Sequence, residues 1–371
     1  MTARLFEPIT LPTADGAGLR VRNRAFVAPM CQYAIDAEDG VPTDWHLVHL
    51  GAFASGGFGL VVTEATAVEA RGRISPRDAG LWNDAQRDAH ARIVRFAHAR
   101  GAAAGVQLAH AGGKGSTYPS LPGRPLGTVP AAERGWPTVS AVDGPVQPGL
   151  APATALDEAG IADVVDAFAD AARRADEAGY DVLQIHAAHG YLLHQFLSPL
   201  TNTRTDGYGA GEEGRTRLAR EVAAAVRKVW PSHKPLGIRI SATDWVEGGW
   251  DVAASARLAR TLADEHGVTW VDVSTGGLQA GAAIPVGPGY QVPYAAHLTA
   301  ALAGTDTVVS AVGLIEHAAQ AETVLATGQA HAVSIGRAAL RNPHWATEAA
   351  AALGVPAADL PRAEQYWRAR W

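Results

Sequence analysis

The chain has 371 residues, 47% hydrophobic and 18% charged, with a formal net charge of −6. That balance suits a globular protein with a sizeable core and offers no basic field for nucleic acid or an anionic membrane surface. A single cysteine, Cys31, excludes an internal disulfide and a four-cysteine iron–sulfur cluster.

In chain order, residues 6–24 read as a short hairpin with its turn at Asp15-Gly16. Glu7, Pro8 and Pro12 stand where a signal peptide would carry an apolar core, and no uninterrupted apolar run of about 18 residues occurs. A soluble cytoplasmic location is therefore expected. Residues 24–29 form the first strand and run into Ala28-Pro29-Met30-Cys31-Gln32-Tyr33. A free cysteine at a strand exit is either an inert buried thiol or a thiol packed against a cofactor. Trp45, Val48, His49 and Ala52 fall at helical spacing within 43–56, and Gly56-Gly57 ends that helix. Residues 59–68 are the second strand, with small Ala65 near its end, and 86–100 the next helix. Residues 103–108 are the third strand, where Gln107 places a donor and an acceptor in an apolar run. Residues 118–152 are rich in proline and glycine, aperiodic, and far longer than an ordinary strand-to-helix loop. They predict a lid-like excursion over one end of the fold. Residues 157–178 form an amphipathic helix with Ile161, Val164, Val165, Phe168 and Ala172 on its apolar face.

The segment GYDVLQIHAAHGYLLHQFLSP, 179–199, organises the chain. Residues 180–185 read as a buried parallel strand, and His186, His189 and Tyr191 follow where the strand gives way to a helix. The pair is either structural or a site, and a metal reading lacks a nearby carboxylate or cysteine to complete a ligand set. Beyond the helix at 216–230, the remaining strands are 236–241, 268–274, 307–312 and 332–335. Arg239, buried in the first of these, is explained by an ion pair or by an anionic group in the mouth. Gly313 follows the seventh strand, and Gly336-Arg337 the eighth, where barrels bind phosphate. Strands alternating with helices without an internal boundary predict one α/β domain over 1–371, a single (β/α)8 TIM barrel with an N-terminal hairpin and a long loop after the third strand. Its ligands should lie outside the strands' carboxyl ends.

Three stretches, APMCQY, HAAHGY and SPLTNTRTDGYGAGEEGR, closely resemble the Old Yellow Enzyme family of FMN-dependent ene-reductases, in its cysteine-bearing thermophilic-like bacterial branch. Two departures stand out: Gly113 where the family usually has arginine, and Ala210 in place of the second glycine of its Tyr-Gly-Gly run. The resemblance implies bound FMN, NADPH or NADH as reductant, and reduction of activated C=C bonds in enones, enals and maleimides. It implies that Ala28, Pro29, Met30, Cys31 and Ala65 meet the flavin. Gln107 and Arg239 serve its pyrimidine end, and Gly313, Gly336 and Arg337 its phosphate. His186 and His189 hold the substrate carbonyl, Tyr33 adds a contact there, and Tyr191 donates a proton. The aromatic, cationic tail is expected to dock on a neighbour in a homodimer or homotetramer, with Trp367, Arg368 and Arg370 as candidates. The competing readings are a flavin-containing sensor with Cys31 as its reactive thiol, a flavin reductase of another acceptor, and a metal-dependent barrel hydrolase using His186, His189 and His110.

Overall fold

The computed structural model describes residues 3–369. Parallel strands Ala25–Val27, Leu60–Ala67, Ala103–Ala109, Val182–Ala187, Leu236–Ser241, Trp270–Ser274, Val308–Ala311 and Ala332–Ile335 close into a barrel, the last pairing with the first. Helices alternate with them, so the expected (β/α)8 architecture is present.

Successive residues of a barrel strand face the helices and the interior by turns. At the bottom of the interior, Phe26, Leu60, Val62, Val182, Trp270, Val308 and Ala332 cluster with Ile9, Leu11 and Val21 of the hairpin Ile9–Leu11 and Leu19–Val21. The hairpin thus plugs the bottom of the barrel. Two residues further along the same strands, the interior becomes polar: Gln184 above Val182, Asp272 above Trp270, Ser310 above Val308 and Ser334 above Ala332. All four are buried. A larger apolar cluster lies between strands and helices, including Phe168 and Ile161 of helix Glu158–Glu177.

Some boundaries differ from expectation for local reasons. Helix Asp84–Ala99 starts before the expected 86, because Asn83 accepts the Gln86 N–H while Gln86 Oε1 accepts the Asn83 N–H. Helix Gly211–Val229 starts before the expected 216, with Glu212 and Glu213 in its first turn, where the helix dipole favours negative charge. The fourth strand runs on through His186 to Ala187. The excursion at 118–152 is tied down. Val139–Ser140 pairs with Thr154–Ala155, Arg204 donates to the Ala141 and Leu156 carbonyls, and Arg73 lies 4.8 Å from the centre of the Trp136 ring. Among the described residues, no helix is long and apolar enough to cross a membrane.

Candidate active site

His186, His189 and Tyr191 come together at the carboxyl end of the fourth strand. His189 Nδ1 lies 3.4 Å from His186 Nε2, and the rings of His186 and Tyr191 meet edge to face with centres 5.1 Å apart. The Ala188 N–H donates to His186 Nδ1, which places that ring's hydrogen on Nε2. Ser274 Oγ lies 2.7 Å from His189 Nε2 and 3.3 Å from Gln291 Oε1 and has one hydrogen to give; given to His189 at the shorter distance, it leaves that ring's hydrogen on Nδ1. Burial, reinforced by the charge of Arg239, pushes both histidines well below the ordinary imidazole value. They are therefore neutral N–H donors. Burial raises the Tyr191 phenol well above its ordinary value, so it keeps its proton.

The turn carrying these groups is built from outside. His189 has φ +60° and Gly190 φ +73°. A Cβ on Gly190 would lie 2.6 Å from the Gly277 carbonyl oxygen, so only glycine fits this approach. The His189 N–H donates to Ser241 Oγ, and the Gly190 N–H to His194 Nδ1. Lys114 Nζ donates to the carbonyls of His189 and Gly277. Tyr33 (φ +51°), Ser116 (φ +55°), Trp245 (φ +61°) and Leu314 (φ +50°) also hold left-handed backbone in loops after barrel strands. Such strain concentrates at functional sites.

Cys31 and Tyr191 pack against one apolar cluster with Ala65 and Ala109. Burial, then the charges of Asp78 and Glu64, raises the Cys31 thiol well above its ordinary value, so it is a thiol and not a reactive thiolate. Burial likewise raises the neighbouring Tyr33 phenol. The turn that carries them is anchored by Glu64, which accepts the Gln32 N–H and pairs with His46 at 3.1 Å. Gln107 stands beside Ala65 in the strand register and donates to Gln184 Oε1, while Gln184 Nε2 is buried without a partner. Arg239, in register with His186, has Nε 3.1 Å from Asp272 Oδ2. Asp272 Oδ1 accepts from Ser310 and Ser334. The ion-pair reading of Arg239 therefore holds, and its terminal nitrogens make no hydrogen bond among the described residues.

A cleft beside this layer is lined by Tyr290, Gln291, Gly313, Ser334, Gly336 and Arg337. The Arg337 side chain makes no hydrogen bond among the described residues, and Met30 Sδ lies 3.8 Å from where a Gly336 Cβ would be. Cleft, unpaired amide and uncommitted guanidinium nitrogens fit a ligand with a polar ring edge at one end and a phosphate at the other.

Other residues stand apart from this group. His110, grouped with the pair in the metal reading, turns Nε2 to Glu69 at 2.8 Å and accepts the Gly112 N–H on Nδ1. Among the described residues no cluster of His, Cys, Asp or Glu is placed to hold a metal ion. Trp367 is 65% exposed, with the Arg368 guanidinium 5.2 Å from its ring centre. Gln365 meets Arg100 at the end of helix Asp84–Ala99, away from the histidine pair. Arg370 lies outside the described residues. At Gly113, a Cβ would lie 2.5 Å from Val146 Cγ1, so the excursion occupies the space a larger side chain would need. Sequence reasoning passed over His194, Ser241, Asp272, Ser274 and Gln291. For His194, Ser241, Asp272 and Ser274 the signal was polarity inside apolar runs; Gln291 follows a Gly/Pro-rich stretch and had none.

A family model described as the NADH:flavin oxidoreductase / NADH oxidase family matches residues 4–354. An NADPH dehydrogenase of Listeria monocytogenes is 42% identical over 351 residues, covering 94% of this chain and 95% of the relative. An NADPH dehydrogenase of a Geobacillus species is 39% identical over 368 residues, covering 99% and 100%. The structure of morphinone reductase in complex with tetrahydroNAD aligns with a TM-score of 0.75 at 26% identity, covering 95% of this chain and 91% of that one. The chain belongs to the NADH:flavin oxidoreductase family, the Old Yellow Enzyme family, and is an FMN-dependent oxidoreductase that draws its electrons from NAD(P)H.

Proposed function

We propose that the enzyme reduces activated carbon–carbon double bonds of enones, enals and maleimides. The observation that carries this reading is the juxtaposition of two neutral imidazoles with a protonated phenol at one strand end. FMN, once reduced, supplies a hydride for the β-carbon of the alkene. His186 and His189 donate to the carbonyl oxygen and stabilise the negative charge that develops there, as an oxyanion hole does. Being neutral, they donate without giving up their protons to the substrate. Tyr191 delivers its proton to the α-carbon as general acid. Tyr33 adds a contact at the carbonyl. Gln107 and Arg239 serve the pyrimidine end of FMN, and Ala28, Pro29, Met30, Cys31 and Ala65 its ring. Gly313, Gly336 and Arg337 serve the phosphate. The unpaired Gln184 amide supports a polar ligand edge near Gln107.

The sensor reading needs a thiolate at Cys31, and the burial of that thiol opposes it. The exposed tail supports docking of Trp367 and Arg368 on a second copy of the chain in a homodimer or homotetramer; light scattering with and without the tail tests this.

The deciding experiment is an anaerobic visible spectrum. The flavin band should bleach with NADPH and return on adding 2-cyclohexenone. Tyr191→Phe should slow only the return, and His186→Ala/His189→Ala should weaken enone binding. Full turnover by all these variants would overturn the assignment of roles.

A further inference from the structure

Lys114 is a partly buried lysine with no carboxylate within ion-pair distance among the described residues. It closes the turn Gly112–Lys114 after the third strand, and Nζ donates 2.8 Å bonds to the carbonyls of His189 and Gly277. The same nitrogen lies 5.1 Å from the centre of the Tyr191 ring. We propose that Lys114 is a positioning residue for proton delivery by Tyr191: its ammonium braces the His189–Gly190 turn and stabilises the negative charge the phenol acquires. The proposal rests on the ene-reduction reading above.

In that step the phenol O–H bond breaks, its electron pair stays on oxygen, and the enolate's pair forms the new C–H bond with the released proton. A neutral phenol offers a nearby cation only its ring quadrupole, whereas a tyrosinate offers a full charge. Attraction to Lys114 therefore strengthens as the proton leaves, which lowers the barrier. Cys31, Tyr33 and Asp78 all oppose ionisation of Tyr191, and the His186 ring beside it is neutral and brings no charge. Lys114 also faces His186 and His189, which are neutral, and its charge helps keep them so. From the excursion the neutral Gln147 amide shares the Gly277 carbonyl.

The charge can be separated from the hydrogen bonds. A neutral amine still has two hydrogens for two carbonyls. A purely structural lysine would therefore leave no trace in a pH profile, whereas a lysine acting by charge would. Burial pulls Lys114 down to about 8. It is charged below that value and loses its charge as pH rises through it.

The test uses the FMN-loaded, NADPH-reduced protein, mixed anaerobically with 2-cyclohexenone while flavin reoxidation is followed on either side of pH 8. The wild-type rate should fall on the order of tenfold as pH rises, the effect of about one unit in the acidity of Tyr191. Lys114→Arg should keep the faster rate to higher pH. Lys114→Met should be slow and flat, and should cause no further loss in a Tyr191→Phe background. The flavin spectrum and melting temperature report whether each variant is folded and loaded. A wild-type rate constant through pH 8, or an equal slowing by Lys114→Met with and without Tyr191, overturns the proposal. If Tyr191→Phe alone leaves reoxidation unchanged, the ene-reduction role of Tyr191 fails, and the proposal with it.

Discussion

His194 Nε2 lies 2.9 Å from Asp244 Oδ1, with both side chains fully buried, and the opposite nitrogen of His194 accepts the Gly190 N–H. Burial alone would raise Asp244, but the hydrogen bonds it accepts, that of His194 foremost, hold it below the ordinary carboxylate value. Asp244 Oδ2 further accepts from Ser198 and from the Trp250 N–H. A carboxylate after the fifth strand thus orients the turn after the fourth. Asp244→Leu leaves the buried His194 and Ser198 donors without their acceptor, and an unsatisfied buried donor costs about 1–3 kcal/mol. The expected outcome is a lower melting temperature and slower reoxidation of the reduced flavin by enone. An unchanged melting temperature would refute it.

Gly190→Ala should be worse than its size suggests. The left-handed backbone alone costs about 1–2 kcal/mol for an L-residue, and the new Cβ would meet the Gly277 carbonyl oxygen at 2.6 Å. Because the strain falls between His189 and Tyr191, enone-dependent reoxidation should drop more than NADPH-dependent bleaching. Stopped-flow traces of the two half-reactions decide the matter.

Gly113→Arg should loosen the excursion, because Val146 occupies the space beside that Cα. With Val146 displaced, Gln147 loses its hold on the Gly277 and Leu278 carbonyls. Limited proteolysis should cut within 118–152 faster than in the wild type. Gly113→Arg/Val146→Gly should restore resistance.

Acid should destabilise the fold before carboxylates are protonated. Burial pulls His90 and His49 down to about 4, so both are neutral in the folded chain. Unfolded histidines take up protons near 6.5, so below that pH the unfolded state binds more protons and stability falls until about pH 4. For His90, which is almost wholly buried, the effect is at most roughly 3 kcal/mol; His49 is partly exposed and contributes less. Melting temperatures measured from pH 7 downward should decline through this window, and His90→Asn should flatten the decline.

Gln107→Leu removes the donor to Gln184 Oε1 and one polar group from the layer beneath the mouth. FMN should bind more weakly, with a dissociation constant raised by about tenfold, the worth of roughly one hydrogen bond. Flavin fluorescence after dilution measures it.

The order of strands and helices was legible in the sequence, because an apolar strand and an amphipathic helix have different periods and glycine marks their ends. His186, His189 and Tyr191 were legible because three chemically active rings follow a strand within six residues, Cys31 because the one cysteine stands at a strand exit, and Gln107 and Arg239 because each interrupts an apolar run. The partners of these residues were not legible. Asp272 pairs with Arg239, Ser274 with His189, and Lys114 with the His189 carbonyl only because closing the barrel brings together strands far apart in the chain. A period of two tells which residues share a face, but the interior and the helix-covered face of a barrel strand are both buried. Their patterns look alike until the neighbouring strands are in place. The excursion at 118–152 shows the same limit. Its composition announced a long loop, while Arg204, Arg73 and the space beside Gly113, all distant in sequence, decided where it rests.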